Sequence, residues 1–303
     1  MKRWQRIALY TLAAIVVIAA AAYYWLLGES PTPHGRFELD LGEVRRLAGS
    51  IPGAKPVDIR VEHVADFKAP AAAMVAGDGW HQETMYALSY QLVYPEHTVI
   101  LDTAMNDAQA KEMGSAVSGF RQDAYDRMIQ GMSKAQLILL THEHPDHIGG
   151  LAAHPELIRL SRMTREQVNN PEHMLPARFP DNALASYQPL VYDRYFAAGP
   201  GVVVIKSPGH SLGSQMVFVL REDGTEVLFL GDVAWIMRNV VLVRERPRFI
   251  TNMLAEDRAA VLRQLVTLHA LAETEPKLIL IPGHDAAPVE ELIRRGVMHD
   301  KFQ

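Results

Sequence analysis

Thr141-His142-Glu143-His144-Pro145-Asp146-His147 is the stretch that decides the fold, and it follows directly on the apolar run Ala135 to Leu140, AQLILL. That run has the length of a buried strand rather than of a helix, so the histidines lie where a strand runs out into a loop. Side chains on a loop carried by a rigid strand can turn towards one centre, and Gly149-Gly150 would let the chain leave without steric conflict. Neutral imidazole and carboxylate are borderline-to-hard donors that suit zinc, iron or manganese. A polar loop that happens to be rich in histidine is the bland alternative.

Three more apolar runs end in the same way. Val202 to Lys206 (VVVIK) leads into Ser207-Pro208-Gly209-His210-Ser211, Glu226 to Leu230 (EVLFL) into Gly231-Asp232, and Lys277 to Ile281 (KLILI) into Pro282-Gly283-His284-Asp285. Gly-His and Gly-Asp are ordinary turn dipeptides, so one such exit carries little weight. Four strand exits in one chain, all with metal-ligating residue types, argue for a shared cation site. Asp102 closes a fifth strand-like run, VILD at Val99 to Asp102.

This pattern resembles the metallo-β-lactamase superfamily, whose HxHxDH signature is followed by a His, an Asp and a His at successive strand ends. The resemblance covers roughly residues 57 to 295 and fills every ligand position of the family. It implies that His142, His144 and His210 hold one metal and Asp146, His147 and His284 a second, with Asp232 bridging. Two zinc ions per chain are the implied cofactors, with iron or manganese as alternatives. Asp102 matches the family's early aspartate, which supports the metal loop rather than binding metal; as a residue on its own it reads equally well as a strand-terminal turn.

The implied chemistry is hydrolysis without a covalent enzyme intermediate. A water bridging two cations becomes a hydroxide nucleophile near neutral pH, and Asp146 would orient it or return a proton to the leaving group. Ser211 is a poor nucleophile, because its neighbour His210 is committed to metal. The chain has no cysteine, which excludes the β-lactamase subclasses with a cysteine ligand as well as disulfides and thiol redox chemistry. The remaining subclass lacks the bridging aspartate that is present here as Asp232, so β-lactam hydrolysis is a minor alternative.

The phrases Pro208-Gly209-His210-Ser211-Leu212-Gly213-Ser214-Gln215 and Gly283-His284-Asp285 are similar to those of the N-acyl-homoserine lactonases. Those enzymes place a tyrosine three residues after the bridging aspartate, where this chain has Trp235. Tryptophan can pack against an acyl chain or ring but offers no phenolic hydroxyl. The expected substrate is therefore a small apolar lactone, ester or amide. The alternative is a mononuclear iron oxidoreductase of the same fold, similar to the persulfide dioxygenases. A formal net charge of −5, with no Lys/Arg-rich run after the N-terminal segment, excludes nucleic acid as a partner. The arginines of Val243 to Arg248 (VRERPR) read as a solvated loop rather than an anion site.

The N-terminus points to a membrane. After Lys2, Arg3 and Arg6 the segment Ile7 to Leu27 carries no charge, and as a helix it would span about 30 Å, the thickness of a bilayer core. The basic flank places residues 1–6 in the cytoplasm and the catalytic domain on the extracytoplasmic side, periplasmic in a bacterium. Ala19 to Ala22 offer small residues for a cleaved signal peptide as the alternative, but cleavage there would leave YYWLL exposed at the new terminus. The expected organisation is a transmembrane anchor over 7–27, a linker over 28–35 containing Pro31 and Pro33, and one catalytic domain over 36–303.

Within that domain Leu41 to Ala48 has helical spacing with Asp40 as N-cap, and Asp123 to Gln130 and Leu254 to Leu271 also read as helices. Val57 to Val64, Met85 to Val93 and Thr98 to Asp102 read as strands. The order fits an α/β (α+β) class, and the resemblance implies the αββα sandwich. Ala69 to Trp80 is either a mobile flap over the substrate or an ordinary loop. The aromatic and methionine residues of Leu160 to Ala198 fit core better than a channel. Other histidines, including His81, His97, His154, His173 and His269, have no strand-exit context and are not expected to bind metal. The oligomeric state is not legible.

Overall fold

The computed structural model describes residues 2–303, so Met1, the first residue of the expected cytoplasmic segment, lies outside it. Strands β1 (Asp58–Pro70), β2 (Gln82–Val93), β3 (Thr98–Leu101), β4 (Val117–Phe120) and β5 (Leu137–Leu139) belong to one sheet. A second sheet holds β6 (Tyr195–Gly199), β7 (Val202–Lys206), β8 (Gln215–Leu220), β9 (Glu226–Gly231) and β10 (Leu278–Pro282), in the order β10-β9-β8-β7-β6. The short β11 (His299–Asp300) returns to the first sheet, whose order is β11-β1-β2-β3-β5, with β4 paired to the distal half of β1.

The two sheets face each other across one apolar core and bury their outer faces under helices. Ile59, Leu92, Leu101 and Leu139 from the first sheet meet Val204, Val217, Val219 and Phe229 from the second. Alternate residues point outwards: Ile100 and Ile138 pack with Met128 and Met132 of the helix Gln122–Lys134. On the other side Val203, Ile205, Phe218 and Leu228 pack against Val44, Leu265 and Leu268 of the helices Leu41–Ala48 and Arg258–Thr274. This is the αββα sandwich. Strands buried on both faces need apolar residues at every position, which is why the runs at β5, β7 and β9 read as continuous rather than alternating.

Asp40 caps the first domain helix as its sequence suggests, accepting a hydrogen bond from the Glu43 amide at 3.0 Å. The expected helix from Leu254 to Leu271 starts later, at Arg258, and runs to Thr274. Leu254 ends the helix Arg248–Met253, Ala255 takes a left-handed conformation with φ 56°, and Asp257 caps a new helix by accepting from the Ala260 amide at 2.9 Å. The apolar spacing is continuous across this break, whereas the cap that sets the start is a single aspartate.

Ala69 to Trp80 is not a loose flap. Pro70 ends β1, Ala71–Met74 form a short helix, and Ala71, Ala72, Met74, Val75 and Ala76 are buried. Met163 and Met174 of the 160–198 segment are buried in the core beneath the first sheet, with Phe179 and Tyr187 packed against it. Tyr192 and Phe196 join the core between the sheets. The N-terminal helix Arg3–Tyr23, continued by a wider turn over Tyr24–Gly28, has no buried residue and is long and apolar enough to cross a membrane. The segment expected as a linker is strapped to the domain: Glu29 pairs with Arg248, and Ser30 Oγ donates to Glu245 Oε2 at 2.7 Å.

Candidate metal centre

Parallel pairing brings the strand exits together. β3 and β5 run parallel with Leu101 opposite Leu139, so Asp102 and Thr141-His142 leave the first sheet side by side. β9 and β10 run parallel with Pro282 opposite Gly231, so Asp232 and His284 leave the second sheet as neighbours. Gly231 has φ 52°, and a Cβ on Gly283 would collide with Asp232 Oδ1. The two glycines therefore permit a close approach of backbone to the Asp232 carboxylate.

The signature does not stay in a loop. His144 is the N-cap of the helix Pro145–Ala153, with Pro145 at its first position, so Asp146 and His147 project from the first helical turn. Proline at that position is a start signal present in the sequence, and it marks where the loop ends. Gly149 and Gly150 consequently do not release the chain. A Cβ at Gly150 would strike the Thr103 carbonyl, and one at Gly149 would lie 2.8 Å from the Ala104 carbonyl. They let this helix press against the β3 exit that carries Asp102.

Two donor sets result. In the first, His144 Nδ1 lies 3.0 Å from His142 Nε2 and 2.7 Å from His210 Nε2, and Asp232 Oδ2 stands 3.4 Å from His210 Nε2. In the second, His284 Nε2 lies 3.4 Å from His147 Nε2 and 3.5 Å from Asp146 Oδ2. Asp232 joins them, with Oδ2 at 3.1 Å from His284 Nε2 and 3.8 Å from His142 Nε2. Donors at about 2.0–2.1 Å from a tetrahedral zinc are about 3.3 Å from one another, and these separations bracket that value. Asp232 Oδ1 is buried without a hydrogen-bond partner, approached by His147 Nε2 at 3.3 Å. An orphaned carboxylate oxygen among imidazole nitrogens fits a cation.

The surroundings aim each ring. His147 Nδ1 donates to Asp102 Oδ2 at 2.9 Å, and Asp102 also accepts from the Thr141 amide at 2.6 Å and the Thr141 hydroxyl at 2.8 Å. His284 Nδ1 donates to the Tyr86 carbonyl at 2.9 Å, and His210 Nδ1 to Glu256 Oε1 at 2.8 Å. With Nδ1 engaged, Nε2 is the nitrogen of each ring that faces the centre. Burial, with the neighbouring histidines, holds the His142 and His144 imidazoles well below their ordinary pKa, in the neutral form that binds metal. Burial alone would also lower His147, but Asp232, Asp102 and Asp146 together outweigh it and hold it well above. Asp232 is raised by burial and lowered by His284, His147 and His142, which prevail. The carboxylates of Asp232 and Asp146 thus face both histidines of the second set, His147 and His284, and favour positive charge there.

The sequence of residues 84–284 matches the model of the metallo-beta-lactamase superfamily. The chain belongs to that superfamily. Among curated proteins, a hydroxyacylglutathione hydrolase of Pseudomonas savastanoi pv. phaseolicola is 38% identical over 96 residues, 31% of this chain and 32% of that protein. The chain thus aligns with about a third of the length of the curated relatives it matches. Among solved structures, an N-acyl homoserine lactone hydrolase with N-hexanoyl-L-homoserine at its catalytic metal centre superposes with a TM-score of 0.60 at 17% identity. The match covers 78% of this chain and 96% of that one. A dizinc quorum-quenching lactonase superposes at 0.52 and 14% identity, covering 75% and 87%. At these identities the likeness is one of fold.

Against that superfamily pattern, several features of this member were not legible in its sequence. Arg246 and Glu245, read as part of a solvated loop, are fully buried. Arg246 makes a two-pronged ion pair with Glu256 at 2.7 and 2.9 Å, so the carboxylate that orients His210 carries its own buried counter-charge. Glu143, between the first two histidines, is buried and accepts from Ser211 Oγ at 2.8 Å and Asn170 Nδ2 at 2.6 Å. The Ser211 hydroxyl is therefore engaged in holding the two ligand loops together, not free for attack. Trp235 turns its indole N–H to Asp232 Oδ2 at 2.7 Å and lies beneath the Arg246 guanidinium, 5.0 Å from its ring centre. His173 stacks on His144 at 5.4 Å between ring centres and is no member of either donor set.

Proposed function

We propose that this protein is a dinuclear zinc hydrolase that opens a lactone, ester or amide of a small apolar molecule. His142, His144 and His210 would hold one ion and Asp146, His147 and His284 the other, with Asp232 shared. The observation that carries the proposal is that two donor sets meet at one carboxylate, with Asp232 in contact with both. Bound divalent cations supply Lewis acidity that activates water and polarises a carbonyl. The hydrolytic relatives, one named for an acylglutathione and one for an acyl lactone, support a reaction at an acyl carbon.

The chain's own residues supply the rest. Asp146 and His144 are the two donors of the seven that are not fully buried, and Asp146 is the carboxylate of the two, which suits it to move a proton between water and leaving group. Trp235 donates its indole N–H to Asp232 Oδ2 and so helps to fix that carboxylate. The absence of cysteine together with the presence of Asp232 speaks against β-lactam hydrolysis. The apolar N-terminal helix supports a retained anchor with the catalytic domain on the extracytoplasmic side.

Elemental analysis of the purified full-length chain should find about two zinc ions per chain. Hydrolysis of a panel of lactones, aryl esters, β-lactams and phosphodiesters should then be abolished by Asp232→Ala. Metal-free protein, one iron per chain without hydrolysis, or activity indifferent to Asp232→Ala would overturn the proposal.

A further inference from the structure

The N-terminal helix does not hang from the domain on a free tether. Its last turn is fixed at several points. The Gly77 amide donates to the Leu27 carbonyl at 2.8 Å, and the Trp80 indole donates to the Tyr23 hydroxyl at 2.9 Å. The Arg248 guanidinium stacks on the Trp25 ring at 4.6 Å and pairs with Glu29, whose carbonyl accepts from Arg258 Nη2 at 2.9 Å. Three separate parts of the domain, residues 77–80, 248 and 258, therefore hold the helix exit in place.

The domain surface around that exit is apolar where a soluble surface would be polar. Trp80, Val241, Leu242, Phe249 and Met253 are each half or more exposed. Trp80 touches Tyr23 at the top of the helix, and Phe249 and Met253 lie on the helix Arg248–Met253, which packs against the Tyr24–Gly28 turn. Val241 and Leu242 end the neighbouring helix Met237–Leu242. Arg244, between these two helices, is exposed and has no acidic partner among the described residues. Its guanidinium lies beside Gly77, next to the Gly28 carbonyl.

We infer that this face is a lipid-docking surface, with Trp80, Val241, Leu242, Phe249 and Met253 seated at the headgroup–acyl boundary around the anchor. The inference rests on the proposal that Arg3–Gly28 is retained as a membrane span. The occupant follows from continuity: a helix that crosses the bilayer and is clamped to the domain at its last turn brings these residues to the interface with it. Exposed Trp, Phe, Leu and Met with a neighbouring arginine whose charge has no acidic partner among the described residues suit that boundary, where apolar side chains enter about 5–10 Å and a cation meets phosphate headgroups. The helix that carries Val241 and Leu242 begins two residues after Trp235, so docking would set the orientation of the metal centre relative to the membrane.

A cysteine-free chain makes the test clean. Full-length Phe249→Cys, Met253→Cys, Val241→Cys, Asp223→Cys and Val16→Cys variants are labelled with an environment-sensitive fluorophore and reconstituted in vesicles of phosphatidylethanolamine and phosphatidylglycerol. Val16 is central in the anchor, and Asp223 is exposed on the β8–β9 turn, at the opposite end of the second sheet from Asp232. The expected result is quenching of the labels at 249, 253 and 241 by lipids with a nitroxide near the headgroup, and loss of iodide quenching there. The label at 223 should remain open to iodide and untouched by nitroxide lipid. Lipid quenching at 16 with water-accessible labels at 249 and 253 would overturn the docking surface while leaving the anchor intact. Labels at 249 and 253 shielded from iodide but untouched by nitroxide lipid would mean that protein covers the face, and would overturn it too. No lipid quenching at 16 would overturn the anchor and the docking surface together.

Discussion

His147 and His210 are each oriented by a buried carboxylate, yet the two supports are built differently. Asp102 backs His147 from the neighbouring parallel strand, and its remaining acceptor positions are filled by the amide and hydroxyl of Thr141. Glu256 backs His210 from outside the sheets and is neutralised by Arg246, a fully buried cation. The first support uses neutral donors on rigid strands, which cost little to bury. The second places a full ion pair in the interior, so each member depends on the other being present. Glu256 shows the balance: burial pushes its carboxyl up, while Arg246 and then His210 pull it below the ordinary value.

The comparison is bounded by the residue that serves both halves. Asp232→Ala should empty both donor sets, and zinc content and hydrolysis should both fall by more than the roughly 10–100-fold typical of losing a single supporting group. A variant that kept one equivalent of tightly bound zinc would show the halves to be independent. Next in size, Glu256→Ala should destabilise the fold by about 3–5 kcal/mol, because it strands Arg246 as an unpaired buried charge. Replacing both partners together, Arg246→Met with Glu256→Leu, should recover most of that stability in a denaturant titration while zinc affinity stays low. Equal stability of the single and double variants would remove the distinction between the two supports.

Asp102→Asn and Glu256→Gln keep the shape of each support and remove its charge. Each should weaken zinc binding by about 10–100-fold in a competition assay with a chromogenic chelator. Gly150→Ala should cost about 1–3 kcal/mol, since a methyl group there meets the Thr103 carbonyl. It should also loosen the metal bound by Asp146 and His147 before that bound by His210. The smallest effect is expected from Thr141→Val, which takes one hydroxyl from Asp102 and should cost about 0.5–1.5 kcal/mol in thermal unfolding. A Thr141→Val effect as large as that of Asp102→Asn would show that the hydroxyl, not the carboxylate, positions His147.

The same contrast explains what could be read before folding. Asp102 was visible because it closes an apolar run, and the strand exits at His210, Asp232 and His284 were visible for the same reason. A run buried on both faces is continuous, and the first polar residue after it marks the sheet edge. Arg246 and Glu256 had no such mark. VRERPR has the composition of a solvated loop, and Glu256 lies in a break between two helices that the apolar spacing runs across. Pro145 did carry a local signal, and it reassigns Asp146 and His147 from a loop to a helix N-terminus.

Residue type and spacing by themselves marked the strand exits rich in metal-ligating side chains, an α/β (α+β) class and the apolar N-terminal helix, because each depends on short-range periodicity and on side-chain chemistry; the set of seven donors and the αββα sandwich were implied by the resemblance to the superfamily. Only the tertiary structure decided which buried charges face one another and where the N-terminal helix is clamped. It also placed Trp235 against Asp232 rather than against an open pocket. The physical reason is that the free energy of a charge depends on its partners and on the water it has lost, and both are set by segments far apart in the chain.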